Sequence, residues 1–175
     1  MRVLKGVYTL IIFLYADTSL RIGKLGTHLF PCGTYTYTGS AMGIGALSLE
    51  NRIKRHLRKD KKIKWHIDYL LNSSNAQIQA VIYAEAREKF ECKVSKEIEK
   101  LRVAQVLVRK FGASDCKEGC HAHLHYFTLN PIQVQELIFK IYKKLGLKPK
   151  LFYDVNYSSY GSGVCLSRNN FIPDF

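Results

Sequence analysis

The chain has 175 residues, 47% hydrophobic and 23% charged, which matches one soluble globular domain long enough to bury a core without staples. Lys and Arg number 27 against 14 Asp and Glu, a formal net charge of +13. So one-sided a balance points to a polyanionic partner, nucleic acid (DNA or RNA) ahead of an anionic membrane surface, since no long amphipathic basic helix stands out as an interfacial anchor. The five cysteines, Cys32, Cys92, Cys116, Cys120 and Cys165, are odd in number and irregularly spaced. That reads against a secreted disulfide framework and for a reducing cytoplasm.

Val7 to Ala16, "VYTLIIFLYA", follows Arg2 and Lys5 and superficially resembles a signal peptide. It is too short to span a membrane and no small-residue cleavage site follows, so it is expected to be a buried strand. "ADTSLRIGKLGTHLFPCG" reads as a loop or short hairpin leading into a second strand, "YTYTGSA". Alternation puts Tyr35 and Tyr37 on one face of that strand, which then ends in residues too small to fill a core. A helix is expected from Ser48, with Asn51 where a capping-box residue would sit and Leu49, Ile53 and Leu57 as its apolar stripe. "WHIDYLLNSS" suggests a short helix, "AQIQAVIYAE" a third strand, and Phe90 to Val108 a long helix. His121, His123 and His125 would share one face of a further strand. "PIQVQELIFKIYKKLG" is a helix with Pro131 in its first turn and Gly146 just past its end. The expectation is an α+β domain: a small, mostly antiparallel sheet of about three strands flanked by helices over residues 1–128, then a C-terminal helix and extension over 129–175.

Four groups can meet at the open end of the second strand. Tyr8 lies near the start of the first strand and Tyr37 and Gly39 near the end of the second, while Glu91 opens the later helix. Arg52 and His56, at i and i+4, share one helical face. An arginine fork clamps phosphate, a histidine one turn away moves a proton, and a lone carboxylate is a common Mg²⁺ ligand. Glu88, Glu97 and Glu99 lie close enough to compete with Glu91. "GVY", "YTGSA", "RIKRH" and then a helix bearing Glu91 resemble the GIY-YIG nuclease superfamily. "YTYTGSAMGIGALSLENRIKRHL", "KWHIDYLL", "FEC" and "FGASDC…C…HL" resemble, more closely, a largely archaeal domain-of-unknown-function branch of it, sometimes fused to endonuclease III.

The resemblance spans roughly Lys5 to Phe127, with 28 residues between Tyr8 and Tyr37, more than in the typical nucleases. It implies a GIY-YIG-like fold and a metal-dependent endonuclease hydrolysing phosphodiester bonds in DNA with Mg²⁺ or Mn²⁺, or else a non-catalytic nucleic-acid-binding module on that scaffold. By the same resemblance Tyr8 and Tyr37 would sit beside the attacking water, Arg52 on the scissile phosphate and His56 as proton-transfer partner. Glu91 would ligate the metal and Gly39 would allow close packing. Gly39, Ser40, Arg55 and Arg58 are candidate nucleic-acid contacts, the small residues leaving room for a phosphate backbone, and Tyr153, Tyr157 and Tyr160 are candidate stacking surfaces.

Two further segments are open. Cys116, Cys120, His121 and His123 offer four ligands within eight residues, a density suggestive of zinc. Adjacent ligands at 120 and 121 strain a tetrahedron, however, so zinc is not the favoured reading: a capped turn followed by a half-buried strand is preferred, and a catalytic Cys-His pair is a third reading. In the second segment, His66 and Asp68 either line the cleft or hydrogen-bond locally while Trp65 and Tyr69 pack inward.

Overall fold

The computed structural model describes residues 4–154, the last two by backbone alone, and Cys165. The "VYTLIIFLYA" run forms the central strand β1 (Gly6–Leu14), buried along its whole length because both faces are covered. The predicted hairpin is present as β2 (Thr18–Arg21) and β3 (Thr27–Phe30), a separate two-stranded sheet inserted before β4 (Gly33–Ala41). Helix α1 (Leu49–Leu57) starts where Ser48 accepts a hydrogen bond from the Asn51 N–H, and α2 (His66–Leu71) follows. Then come β5 (Ala76–Glu85), α3 (Glu91–Glu99), β6 (Leu124–Phe127), α4 (Pro131–Lys144) and β7 (Lys150–Asp154). Helix α4 carries its capping box between Asn130 and Gln133.

The main sheet has five strands, not three, in the order β6-β4-β1-β5-β7, and every pairing is antiparallel. Its additional strands are the edges: β6 extends β4, and β7 pairs with β5 from within the segment read as an extension. The expected long helix stops at Glu99, and beyond it Gln105 exchanges both backbone hydrogen bonds with Tyr126 of β6, a bridge that helical backbone could not make.

Alternation along β1 divides the core. Tyr8, Leu10, Ile12 and Leu14 face one cluster with Leu49 and Ile53 of α1 and Ile67 and Leu70 of α2. Val7 and Ile11 face the other, against Val94 and Ile98 of α3 and Val134 and Ile138 of α4. A bulge where β5 passes Ile11 and Ile12 lets Ile78 join the first cluster and Ala80 the second, although strict alternation would put them together. The sequence boundary at residue 128 thus falls between two elements of one three-layer core.

A disulfide joins Cys32 to Cys165, a pairing over 133 residues that leaves no local spacing signature. Cys92, Cys116 and Cys120 are free thiols. Among the described residues no helix is long and apolar enough to cross a membrane.

Candidate active site

Antiparallel register sets Tyr8 directly opposite Gly39. A Cβ at residue 39 would lie 2.6 Å from the Tyr8 hydroxyl and 2.8 Å from its Cζ, so the missing side chain is the space the phenol occupies. Pairing of β4 with β6 ends at Tyr37 opposite Leu124, with one further bond from the Thr38 N–H to the His123 carbonyl. From Gly39 on, β4 is paired on its β1 side alone, and the strand end opens into a cleft of about 770 Å³. The small residues after Tyr37 thus belong to a strand end with one free edge, not to a turn.

Tyr8, Tyr37, Gly39, Ser40, Arg52 and Glu91 all line this cleft. Ser40 organises two of the others. Its carbonyl accepts a hydrogen bond from an Arg52 Nη1–H at 2.9 Å, and its hydroxyl donates to the Glu91 carboxylate while accepting from the Glu91 N–H at 3.3 Å. Read from sequence as a nucleic-acid contact, Ser40 holds the flanking arginine and carboxylate in place. The competing glutamates are taken elsewhere: Glu88 pairs with Lys93, Glu97 with Lys100 and Lys144, and Glu99 with His121 and His125.

His56 lies behind the cleft rather than in its lining, 2.8 Å by Nε2 from the Tyr8 hydroxyl and packed among the Tyr8, Tyr37 and Trp65 rings. Burial lowers its pKa to about 3, with Asp68 opposing the shift, so the ring is neutral near pH 7. Its Nδ1 is buried without a hydrogen-bond partner. Burial likewise raises the Tyr8 phenol to about 12 despite the nearby Arg52, and pushes Tyr37 up as well. Both phenols therefore stay protonated at neutral pH. Tyr37 is held from the other side by Gly112, whose positive φ of 71° suits glycine and whose Cβ would lie 2.8 Å from the Tyr37 ring. Tyr35, on the same face, points away from the cleft and donates to the Pro31 carbonyl at 2.6 Å.

Arg55, expected on nucleic acid, instead forks onto the buried Asp68 carboxylate at 2.8 and 3.0 Å and stacks 4.1 Å from the Trp65 ring centroid. Asp68 also accepts the N–H groups of Lys64 and Trp65. Burial alone would raise this carboxyl, but Arg55 and those donors together hold it below the usual range. The His66 ring accepts the Gly112 N–H at 3.0 Å, so the local hydrogen-bonding reading of His66 and Asp68 is the one realised, while Trp65 lines the cleft. Arg58 is exposed at the end of α1. Tyr157 and Tyr160 lie outside the described residues, as does the side chain of Tyr153.

The Cys/His segment rearranges the expected ligand set. His121 turns outward to Glu99 Oε2 at 3.0 Å, and its place beside Cys116, Cys120 and His123 is taken by Cys92 from α3. Burial pushes the Cys92 thiol up, and the Cys120 thiol to about 11. All three histidines do face α3, where Cys92 and Glu99 lie two turns apart on one side.

Residues 7–147 match the model of a family described as a domain of unknown function, DUF123. The chain belongs to the DUF123 family. The match runs from β1 to just past α4, so the DUF123 unit holds both faces of the sheet and the whole cleft lining. Neither the curated proteins nor the solved structures contain a match to the chain. Sequence reasoning missed Trp65 and Lys89 as members of the DUF123 cleft. Lys89 belongs to no periodic or spaced motif, and Trp65 reads from sequence as packing inward with Tyr69.

Proposed function

We propose that the cleft is the active site of a metal-dependent endonuclease of GIY-YIG type that hydrolyses phosphodiester bonds in DNA. The observation that carries this reading is the convergence of Tyr8, Tyr37, Arg52 and Glu91 on one cleft, with Ser40 tethering the arginine and the carboxylate. A buried or outward-facing Glu91 would have favoured a binding module without catalysis. Instead it stands half-buried in the wall, and among the described residues no cation pairs with its carboxylate.

A hard oxygen donor facing a polar cleft fits Mg²⁺ or Mn²⁺, which take one or two protein carboxylates and complete their shell with water and phosphate oxygens. Glu91 would hold the ion, which when bound supplies positive charge beside the phosphate and a more acidic water. The other roles follow from the side chains. Arg52, one nitrogen committed to Ser40, turns the rest of its fork to the phosphate. Tyr8 offers its phenol oxygen to the attacking water while its hydroxyl bonds to His56, so His56 positions Tyr8 rather than touching substrate. Attack by water on phosphorus forms one P–O bond and breaks the ester P–O bond, and the leaving oxygen takes up a proton. The segment from Arg52 to Lys64 carries eight basic residues against one acid, Asp60; Arg52 lines the cleft, Arg55 is committed to Asp68, and exposed members such as Arg58 would give a salt-sensitive grip on the phosphate backbone.

The experiment is incubation of labelled duplex, branched and single-stranded DNA and RNA with the protein in Mg²⁺, Mn²⁺ or EDTA. Cleavage of DNA that requires the ion is expected. Binding of the same substrates without cleavage in either metal would replace the nuclease by the binding module.

A further inference from the structure

Three thiols and one imidazole converge in one wall of the cleft, which Cys92, Cys116 and His123 themselves line. Cys92 stands in the first turn of α3, Cys116 and Cys120 in the loop before β6, and His123 next to β6. Their ligand atoms all lie within 4.8 Å of one another, with Cys92 Sγ 3.3 Å from Cys116 Sγ and 3.6 Å from His123 Nε2. A tetrahedral zinc ion with bonds of about 2.3 Å to sulfur and about 2.0 Å to nitrogen sets sulfur–sulfur edges of about 3.8 Å and sulfur–nitrogen edges of about 3.6 Å. The Cys92–His123 separation already meets its edge, the Cys92–Cys116 pair lies about 0.5 Å short of its own, and the 4.8 Å limit exceeds the sulfur edge by about 1 Å.

We infer that Cys92, Cys116, Cys120 and His123 form a structural zinc site that clamps α3 to the loop walling the cleft. The donor set selects the metal: thiolates with one imidazole suit Zn²⁺ and discriminate against the hard ions that Glu91 would bind. Four protein ligands fill a tetrahedron and leave no position for substrate, which makes the site structural. The strain expected from adjacent ligands at 120 and 121 disappears because His121 is not one of them. Simple packing explains a buried cysteine, but not three thiols and an imidazole nitrogen turned on a single point.

The location gives the site its consequence. Cys92 is the neighbour of Glu91, and the loop carrying Cys116 and Cys120 also supplies Gly112, Asp115 and Lys117 to the cleft. Apart from the clamp, this loop is tied to α3 by the Lys96 ammonium on the Glu118 carbonyl at 2.7 Å and by His121 on Glu99 at 3.0 Å. Zinc at this point would fix the helix that presents Glu91 against the opposite wall.

The test is the metal content of the full-length protein after equimolar Zn²⁺ and removal of excess, together with X-ray absorption of the zinc form and the visible spectrum of the cobalt form. About one zinc per chain is expected, bound by three sulfurs and one nitrogen, with tetrahedral thiolate–cobalt bands. His121→Ala should keep the zinc, and Cys92→Ser should lose at least nine-tenths of it. Should Cys92→Ser fail to fold, the wild-type absorption data alone decide the ligand set. Zinc below a tenth of an equivalent in the wild type, a Cys92–Cys116 disulfide found by peptide mapping, or full zinc retained by a folded Cys92→Ser would each overturn the site. Zinc content is read without reference to cleavage, so this result and the nuclease reading stand or fall separately.

Discussion

Gly39→Ala is the substitution that most directly probes how the cleft is built. Its new methyl group would sit 2.6 Å from the Tyr8 hydroxyl oxygen, where ordinary contact begins near 3.4 Å, so the phenol must retreat by about 0.8 Å. Tyr8 is 2% exposed and wedged against His56, so little room exists for that movement. Overpacking of this kind costs about 1–3 kcal/mol. Displacing the phenol also strains its bond to His56, the ring's one hydrogen bond, and an unpaired buried polar group costs about 1–3 kcal/mol more. A total near 3 kcal/mol corresponds to a Tm fall of about 6–12 °C in a chain of this size. For the reaction, a misplacement approaching 1 Å predicts a loss of about 100-fold. The assay is a double-mutant cycle by urea denaturation with Tyr8→Phe, which removes the oxygen at the closest contact. Gly39→Ala should cost less when combined with Tyr8→Phe than in the wild type. A loss below about 0.5 kcal/mol in the wild type, or strict additivity in the cycle, would refute the claim that Gly39 exists to seat the phenol.

Three other consequences are accessible. With a folded-state pKa of about 3 against a usual 6.5, His56 binds its proton only in the unfolded chain between those values, so it makes stability fall as pH drops through that window. His56→Gln should flatten the dependence of the urea midpoint between pH 7 and pH 4, and an unchanged slope would contradict the assignment. Ser40→Ala removes the hydroxyl that holds Glu91 and should raise the Mg²⁺ concentration for half-maximal cleavage by about 10-fold with Tm nearly constant; an unchanged metal titration would count against that role. Arg58→Ala should reduce the slope of log binding against log salt by about 1, whereas Arg55→Ala should destabilise the fold by about 3–5 kcal/mol because it strands the buried Asp68 carboxylate; equal effects on the salt slope would show that Arg55 also reaches phosphate.

Much of this arrangement could be read from the chain because it is local. The apolar run of β1, the alternation of β5 and the caps at Ser48 and Asn130 each specify one element through neighbours a few residues away. The i and i+4 pair on α1 also kept its geometry, but depth does not follow from helical spacing: Arg52 reaches the cleft and His56 stops behind Tyr8. Contacts across the fold were less visible. Gln105 leaves helical backbone because Tyr126 offers it a strand partner, and nothing in the sequence around Gln105 announces that edge. Strand β7, Lys150–Asp154 after Pro149, is five residues long with charged ends around Leu-Phe-Tyr, too short to announce itself without its pairing with β5. Cys92 joins residues more than twenty positions away, whereas short ligand spacing points to the adjacent His121.

The most direct test of the central claim compares wild type and Glu91→Gln at saturating DNA in a single-turnover assay with Mg²⁺, while binding is measured on the same substrate. The account predicts equal binding and cleavage reduced by at least 100-fold, because the substitution removes a metal ligand from a preformed cleft without emptying it. Cleavage by Glu91→Gln at the wild-type rate, with the same metal dependence, would show that the carboxylate beside Ser40 is not part of an active site.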